Sequence, residues 1–248
     1  MAHSPLEQFV IKPIIPLHVG GYDISFTQSA AWMLVAVLAA TALMTLTMRR
    51  RALVPGRWQN LSEMLYEFVA GMVNDTLHDE GRKYFPLVFS LFMIVLMGNL
   101  LGMLPYSFTF TSHIIVTAAL ALLVFSIATI VGFVRHGLHF FSLFLPKGLP
   151  IFIAPLIIVI EIISYLSRPL SLSVRLFANM TAGHTMLKVF AGFSVAMISA
   201  GAVTGVLSVV PVIVNIALIG LELMIAFIQA YVFAMLTCIY LKDAIELH

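Results

Sequence analysis

The sequence contains few charged residues. Asp, Glu, Lys and Arg make up only 10% of the 248 residues, whereas 61% are hydrophobic, and the mean hydropathy is +1.07. A soluble globular domain carries about 25% charged residues, so this composition excludes a soluble protein and predicts an integral membrane protein with several spans. The net charge of +2 is too small to indicate a nucleic-acid partner.

Cysteine and the common catalytic motifs are also scarce. The single cysteine, Cys238, excludes an intrachain disulfide and a cysteine-based metal site. The sequence contains no Gly-rich phosphate loop, HExxH or GxSxG, the motifs typical of nucleotide, zinc and acyl-transfer sites. We therefore expect no nucleotide-binding site, no metal site, no cofactor and no catalytic chemistry in the chain itself.

Long uncharged stretches predict five transmembrane helices. A helix needs about 20 apolar residues to cross the hydrocarbon core. The predicted spans are residues 24–48, 85–104, 113–134, 150–199 and 207–241, after a tail at 1–23, within a single membrane domain at 1–248. That tail lacks the basic n-region of a signal peptide, so we expect it to be retained.

The last two spans exceed the thickness of a membrane. At about 1.5 Å per residue, residues 211–241 alone extend about 46 Å, against a core of about 30 Å. We predict a long tilted hairpin that turns between Gly201 and Gly205, with a kink at Pro169. The fold class is thus an all-α integral membrane protein.

Residues 59–79 predict an interfacial amphipathic helix. Hydrophobic residues recur there at helical spacing, and Asn60 with Glu63 suits an amino-terminal cap. The polar face is acidic, which is unusual for a helix that binds lipid. Contact of this face with a protein partner and simple solvation both remain open.

The basic residues predict the orientation. They follow the first span at residues 49–57, precede the second at Arg82 and Lys83, and follow the third at Arg135 and Lys147. By the positive-inside rule, these loops are cytoplasmic. We therefore expect a periplasmic amino terminus and a cytoplasmic carboxyl terminus.

A polar stripe lies on the fourth span. At 100° per residue, polar residues fall within about 40° of Arg175 on one helix face: Glu161, Ser164, Arg168, Ser171 and Asn179. An arginine in the membrane costs about 2.5–3.5 kcal/mol, so it is usually functional. His184 points the opposite way.

The last span carries a second stripe. Asn215, Glu222 and Gln229 are spaced by seven, which keeps them on one face. In an antiparallel hairpin, one register places Gln229 across from Arg175, Glu222 near His184, and Asp243 level with Glu161. This arrangement suggests two half-paths, an inner one at Glu161 and an outer one at His184 and Glu222, with Arg175 between them.

Structural interpretations of these residues remain open. Intramembrane Ser164 and Ser171 can bond the helix backbone, and Asn179, Asn215 and Gln229 can hold helices together. His184 and Glu222 can form a buried structural pair, although histidine suits proton relay. For Arg168, snorkelling or structural pairing is favoured.

The stretch RPLSLSVRLFANMTAGH at residues 168–184 resembles the signature RPxSLxxRLFxNMxAG of subunit a of F-type ATP synthases. LELMIAFIQAYVFAMLTCIYL at 221–241 resembles the last helix of that family, and SPLEQFVIKPIIPL with SFTQS resembles its amino-terminal tail. Residue 178 is Ala where Gly is common. The order of His184 and Glu222 resembles mitochondrial and alphaproteobacterial members.

The resemblance implies a proton-translocating stator in the bacterial inner membrane. Its expected partners are the c-subunit ring, b-type peripheral stalk subunits, the remainder of the complex and lipid. The implied site has Arg175 as the essential charge between two half-channels, with a proton path over Glu161, Ser171, Asn179, His184, Asn215, Glu222 and Gln229. The ion, H⁺ or Na⁺, remains open, with His184 favouring H⁺. A secondary transporter and a structural anchor are the alternatives, although no inverted repeat is evident.

Overall fold

The computed structural model describes residues 9–16, 18–19, 22–23, 25–49, 52, 54–104, 107–137, 139–140 and 153–246. These ranges are mostly helical: α1 Gln28–Thr47, α2 Arg57–Leu77, α3 Gly81–Gly102, α4 Ile114–His136, α5 Ala154–Ser199, α6 Ala202–Leu207 and α7 Val209–Ile245. Residues 1–8 of the predicted tail, Arg50, Arg51, Pro105 and Lys147 lie outside the described residues.

Five of these helices are long and apolar enough to cross a membrane: α1, α3, α4, α5 and α7. The prediction of an all-α membrane protein with five spans is therefore confirmed. The helices α5 and α7 contain 46 and 37 residues, equivalent to about 69 and 56 Å. Both thus exceed the membrane core, as expected for the long hairpin. The helix α5 continues through Pro169.

The amino-terminal segment forms short strands, which the sequence analysis did not predict. Strand β1 (Pro13–Ile15) pairs antiparallel with β4 (Phe26–Thr27), and β2 (His18–Val19) pairs antiparallel with β3 (Tyr22–Asp23). The backbone N–H of Gln28 also donates to the carbonyl of Lys12 at 3.0 Å. These bonds fix the segment next to the start of α1.

The amphipathic helix α2 begins earlier than its predicted cap. Gly56 is the N-cap residue and makes no side-chain cap bond, so Asn60 and Glu63 lie inside the helix, where Gln59 Nε2 donates to Glu63 Oε1 at 2.8 Å. Glycine at an N-cap costs little relative to serine or asparagine, so the helix can begin at Gly56, and the cap predicted at Asn60, four residues later, was wrong. Leu65 and Val69 lie on its buried face.

The chain forms two compact units. The first unit contains Met1–Thr41, Ile94–His113 and Leu176–Ala230, and the second contains Ala42–Met93, Ile114–Arg175 and Tyr231–His248. Each long helix contributes residues to both units. The boundary between the units falls after Arg175 in α5 and after Ala230 in α7.

In the first unit, α5 and α7 run antiparallel. Gly201 follows α5 with a φ of +138°, a conformation that side chains other than glycine rarely adopt. The chain reverses at this point, within the predicted turn. Asn179 contacts Gln229, and His184 contacts Glu222. Residue numbers therefore increase along α5 while those of the contacting residues on α7 decrease, as in an antiparallel pair.

In the second unit, polar contacts join the helix ends. Arg135 Nη2 lies 2.8 Å from Glu80 Oε1, and His136 Nε2 lies 3.0 Å from the carbonyl of Ile245. The hydrogen bond from Arg135 holds the pKa of the Glu80 carboxyl below its ordinary value. Gly137, with a φ of +56°, follows α4 in the conformation typical of a helix end.

Candidate functional site

A cavity of about 600 Å³ opens within the first unit. Its polar and basic lining residues come from the amino-terminal segment, the connection after α3, and α5: Lys12, Gln28, Ser107, Thr109, His184 and Lys188. Among the sequence-predicted site residues, His184 lines this cavity. A depression with these polar groups that reaches the half-buried His184 is suited to bringing water to a titratable group.

His184 is held between two partners. Its Nε2 lies 2.9 Å from Thr109 Oγ1, and its Nδ1 lies 3.6 Å from Glu222 Oε1. The side chains of His184 and Glu222 are only 12% and 3% exposed. The predicted proximity of these two residues is thus present, and Thr109 links the pair to the cavity.

Glu222 occupies a space created by a glycine. A Cβ added at Gly183 would lie 2.7 Å from Glu222 Oε1, closer than real Cβ contacts. Both carboxylate oxygens are buried and make no hydrogen bond to any described residue. Because a buried carboxylate without hydrogen bonds is costly, the environment of Glu222 favours the protonated carboxyl group.

Further amides extend along α7. Asn179 Nδ2 donates to Gln229 Oε1 at 3.0 Å, and Asn99 Nδ2 donates to the carbonyl of Ala226 at 3.4 Å. The Oδ1 atoms of Asn99 and Asn215 and the Nε2 of Gln229 are buried without a hydrogen bond to the described residues. Asn215 and Gln229 thus place polar atoms before and after Glu222 on α7.

Arg175 is exposed on α5. Among the residues that the structure describes, no hydrogen bond or ion pair joins its side chain to another residue. Leu170 and Val174, which precede it, are also exposed, at 65% and 40%. An arginine on such an apolar surface needs a partner to satisfy its charge.

Arg168 lies two turns before Arg175 but has a structural environment. Its Nη1 donates to Asp243 Oδ2 at 2.7 Å, and its guanidinium lies 5.5 Å and 5.4 Å from the ring centroids of Tyr165 and Tyr240. Cation–π contacts of this kind favour a fixed cation. The structural pairing favoured from the sequence is therefore observed.

The counted register differs from the observed one. It placed Glu161 level with Asp243 and Arg175 across from Gln229. The structure pairs Asp243 with Arg168 and Gln229 with Asn179. Asp243 would be repelled by the carboxylate of Glu161, whereas the long side chain of Arg168 can reach it from one or two turns away. The amides of Asn179 and Gln229 can hydrogen-bond each other directly. Counting residues includes neither effect.

The remaining predicted residues are less enclosed. Glu161 is half-buried and Ser171 is exposed. Ser164 accepts a hydrogen bond at its backbone carbonyl from Ser167 Oγ, at 2.7 Å. Within the described ranges, no three His, Cys, Asp or Glu side chains are grouped so that they could hold a metal ion.

Sequence reasoning missed Thr109, Asn99 and the pair formed by Thr117 and Ser173, whose hydroxyl oxygens lie 3.2 Å apart. Asn99 had a signal, since it is the only amide side chain in the apolar stretch 84–104 and is fully buried. Thr109 had none, because a threonine in a polar turn is common.

Comparison with known proteins identifies the family. The family model described as "ATP synthase A chain" matches residues 30–242. This chain belongs to the ATP synthase A chain family. It is similar to proteins named "ATP synthase subunit a" from Rhodospirillum rubrum, with 58% identity over 99% of this chain and 100% of the relative, and from Mesorhizobium japonicum, with 56% identity over 98% and 96%.

A third relative of the same name, from Paramagnetospirillum magneticum, is 55% identical over 99% of both chains. As a member of the ATP synthase A chain family, the chain is an integral inner-membrane protein of the proton-translocating F0 sector and works there with other subunits. The suspected resemblance is therefore confirmed.

The Gly183 contact leads to a prediction. Gly183→Ala is expected to displace the Glu222 carboxylate and to reduce ATP-driven proton pumping several-fold, because the added Cβ would lie 2.7 Å from Oε1. Gly192→Ala is the matched control, since a Cβ at Gly192 has no atom within 4 Å and alanine favours a helix. Pumping by inverted vesicles measures the effect, and equal rates for the two variants would contradict it.

Proposed function

We propose that this chain is the stator that loads and unloads protons on the carboxylates of a c-subunit ring. Protons pass through two offset half-channels, and Arg175 separates them. Proton flow then drives rotation of the ring and ATP synthesis. The chain contributes positioned side chains and an electric field rather than bond-making chemistry.

The observation that carries this proposal is the continuous set of contacts from the cavity to Glu222. The cavity reaches His184, and Nδ1 of His184 lies 3.6 Å from a carboxylate oxygen of Glu222. Imidazole exchanges protons near neutral pH, and a buried carboxyl can accept one. This arrangement supports an outer half-channel that ends in an acid–imidazole pair.

Arg175 has the properties of a separator. Guanidinium does not deprotonate in proteins, so it cannot pass a proton along. Its charge favours the ionised form of a nearby carboxylate, which would make a ring carboxyl release its proton beside it. The exposure of Arg175 on α5 supports a partner from another subunit.

The inner half-channel is proposed to begin near Glu161 and Ser171. Glu161 is half-buried and Ser171 exposed, so both are available to a neighbouring subunit or water. The ring carboxylate would be neutral while it faces lipid, because a charged one is costly there. Asn179, Asn215 and Gln229 are proposed to complete the polar lining of the proton path.

The assembly and orientation belong to the same proposal. The c-ring would cover the apolar surface next to Arg175, and b-type peripheral stalk subunits would hold the chain against the torque. The amino terminus would be periplasmic and the carboxyl terminus cytoplasmic, as the positions of Arg82, Lys83 and Arg135 favour.

Blocking the cavity tests this function. The only cysteine, Cys238, is fully buried, so Leu104→Cys in a Cys238→Ser background gives one accessible thiol on the cavity wall. A bulky, membrane-impermeant maleimide added from the periplasmic side is expected to stop proton flow through F0. Passive proton uptake by vesicles of known orientation measures the block.

Leu207→Cys in the same background is the matched control, because Leu207 is an exposed leucine in α6, at the periplasmic turn of the proposed orientation, and does not line the cavity. Its modification is expected to leave proton flow unchanged. Unimpeded proton flow after complete labelling of Leu104→Cys would argue against the outer half-channel, and a block only from the cytoplasmic side would argue against the orientation.

A further inference from the structure

Thr109 lies where the cavity meets His184. It is buried, lines the cavity and follows the end of α3. We propose that Thr109 is a positioning residue that fixes the tautomer of His184, with the proton on Nε2 and the lone pair of Nδ1 directed at Glu222. This inference rests on the proposed function, because it specifies how the pair would exchange protons.

The hydrogen bonds around Thr109 support this tautomer. A threonine hydroxyl has one hydrogen to donate. Thr109 Oγ1 lies 3.0 Å from the carbonyl of Gly102, and a carbonyl can only accept. If the hydroxyl hydrogen is used there, the oxygen accepts from His184, whose Nε2 is 2.9 Å away. Nε2 then carries the ring proton.

The opposite arrangement makes fewer hydrogen bonds. Thr109 would donate to Nε2, and the carbonyl of Gly102 would depend on Ser107 Oγ at 2.8 Å. Ser107 would then lose its bond to the carbonyl of Leu104, at 2.7 Å. With the ring proton on Nδ1, the donor nitrogen would be 3.6 Å from Glu222 Oε1, beyond the usual range of a hydrogen bond.

The tautomer assigns a task to each ring nitrogen. During outward release, the Oε1–H bond of protonated Glu222 breaks as an Nδ1–H bond forms, which leaves a carboxylate and an imidazolium. The Nε2–H bond then breaks as water in the cavity takes the proton. Inward delivery uses the same bonds in reverse and ends with the proton on Nε2. Thr109 therefore stabilises the form in which Glu222 has just received its proton.

The space around Thr109 suits this role. A Cβ added at Gly102 would lie 2.6 Å from Thr109 Oγ1, so the glycine lets the threonine approach the end of α3. On α5, Thr181 Oγ1 is 3.4 Å from the carbonyl of Ser112, which joins the Thr109 segment to the helix that carries His184.

Solid-state NMR of the reconstituted F0 complex tests the assignment. Histidine labelled with ¹³C and ¹⁵N reports which nitrogen is protonated, because Nδ1 is bonded to Cγ and Nε2 to Cδ2. The chain has 8 histidines, so the His184 signals are identified by their loss in His184→Asn. At a pH where the ring is neutral, we expect Nε2–H to predominate in the native complex.

Thr109→Val removes the hydroxyl and keeps the shape of the side chain. Loss of one net hydrogen bond is expected to shift the tautomer ratio toward Nδ1–H by about two- to tenfold, and Thr109→Ser is expected to restore it. Thr185→Val is the matched control, since Thr185 Oγ1 bonds the carbonyl of Thr181 in its own helix and its loss should leave the ratio unchanged.

Two results would overturn the inference: Nδ1–H predominating in the native complex, or an unchanged ratio in Thr109→Val. Proton flow is measured on the same samples to separate the two proposals. A native Nε2–H signal together with normal proton flow in His184→Asn would contradict the proposed relay but not the tautomer. An Nδ1–H signal with a blocked His184→Asn would contradict only the tautomer.

Discussion

Arg175→Ala is expected to abolish both proton-driven ATP synthesis and ATP-driven proton pumping. Without the guanidinium, a ring carboxylate loses the cation that favours its ionised form. An opposite charge within about 4–6 Å lowers a carboxyl pKa by roughly 1–3 units, so proton release is expected to slow by about tenfold to a thousandfold, and the lost barrier between the half-channels is expected to uncouple the remaining proton flow. ATP synthesis by energised vesicles and quenching of a pH-sensitive dye measure the two directions.

Arg175→Ala is also expected to permit a proton leak through F0. A fixed cation at the boundary excludes protons and other cations, and its removal leaves the two half-channels without a barrier between them. Passive proton uptake by F1-depleted vesicles measures the leak. Arg175→Lys should also fail to couple, because lysine loses the planar fork and can deprotonate in an apolar environment.

The control removes an arginine elsewhere. Arg82 is exposed at the start of α3, and Arg82→Ala is expected to retain pumping near the native rate. Both variants should assemble, as judged by the presence of subunit a in the purified complex. Normal ATP synthesis by an assembled Arg175→Ala complex would refute the role of Arg175 as the separator.

The helices could be predicted from the sequence because membrane physics leaves few alternatives. The stretch between Lys83 and Arg135, which has no fixed charge, is long enough for two spans. Each must be helical, because a helix satisfies its own backbone hydrogen bonds within the membrane. The proximity of His184 and Glu222 was also predictable, because a hairpin with a fixed turn aligns equal distances along its two helices.

Other contacts depend on interactions that no periodicity encodes. Gln229 bonds Asn179 and Asp243 bonds Arg168 because amide pairing and charge complementarity act within a turn or two of the counted register. Thr109 reaches His184 through a non-helical connection, which a helical count cannot place. Strands β1 and β4 depend on pairing between residues more than ten positions apart, beyond the range of local pattern.

The pair formed by His184 and Glu222 gives the second large expected effect. His184→Asn and Glu222→Gln should each reduce ATP-driven proton pumping by about a hundredfold or more, the usual range for loss of a proton-transferring group. Asparagine and glutamine retain polarity and approximate shape but do not exchange a proton near neutral pH. A defect in either variant would therefore reflect lost proton exchange more than lost packing.

The double variant distinguishes a relay from two independent contributions. If the proton passes from one side chain to the other, removing the second group after the first costs little, so the double variant should pump about as fast as the slower single variant. Independent roles would multiply the two defects. Arg168→Ala combined with Glu222→Gln provides the comparison, because Arg168 bonds Asp243 and has no place in the proposed proton path. Multiplicative defects for His184 and Glu222 would mean that their 3.6 Å approach is a structural contact, and that protons reach the ring carboxylate by another route.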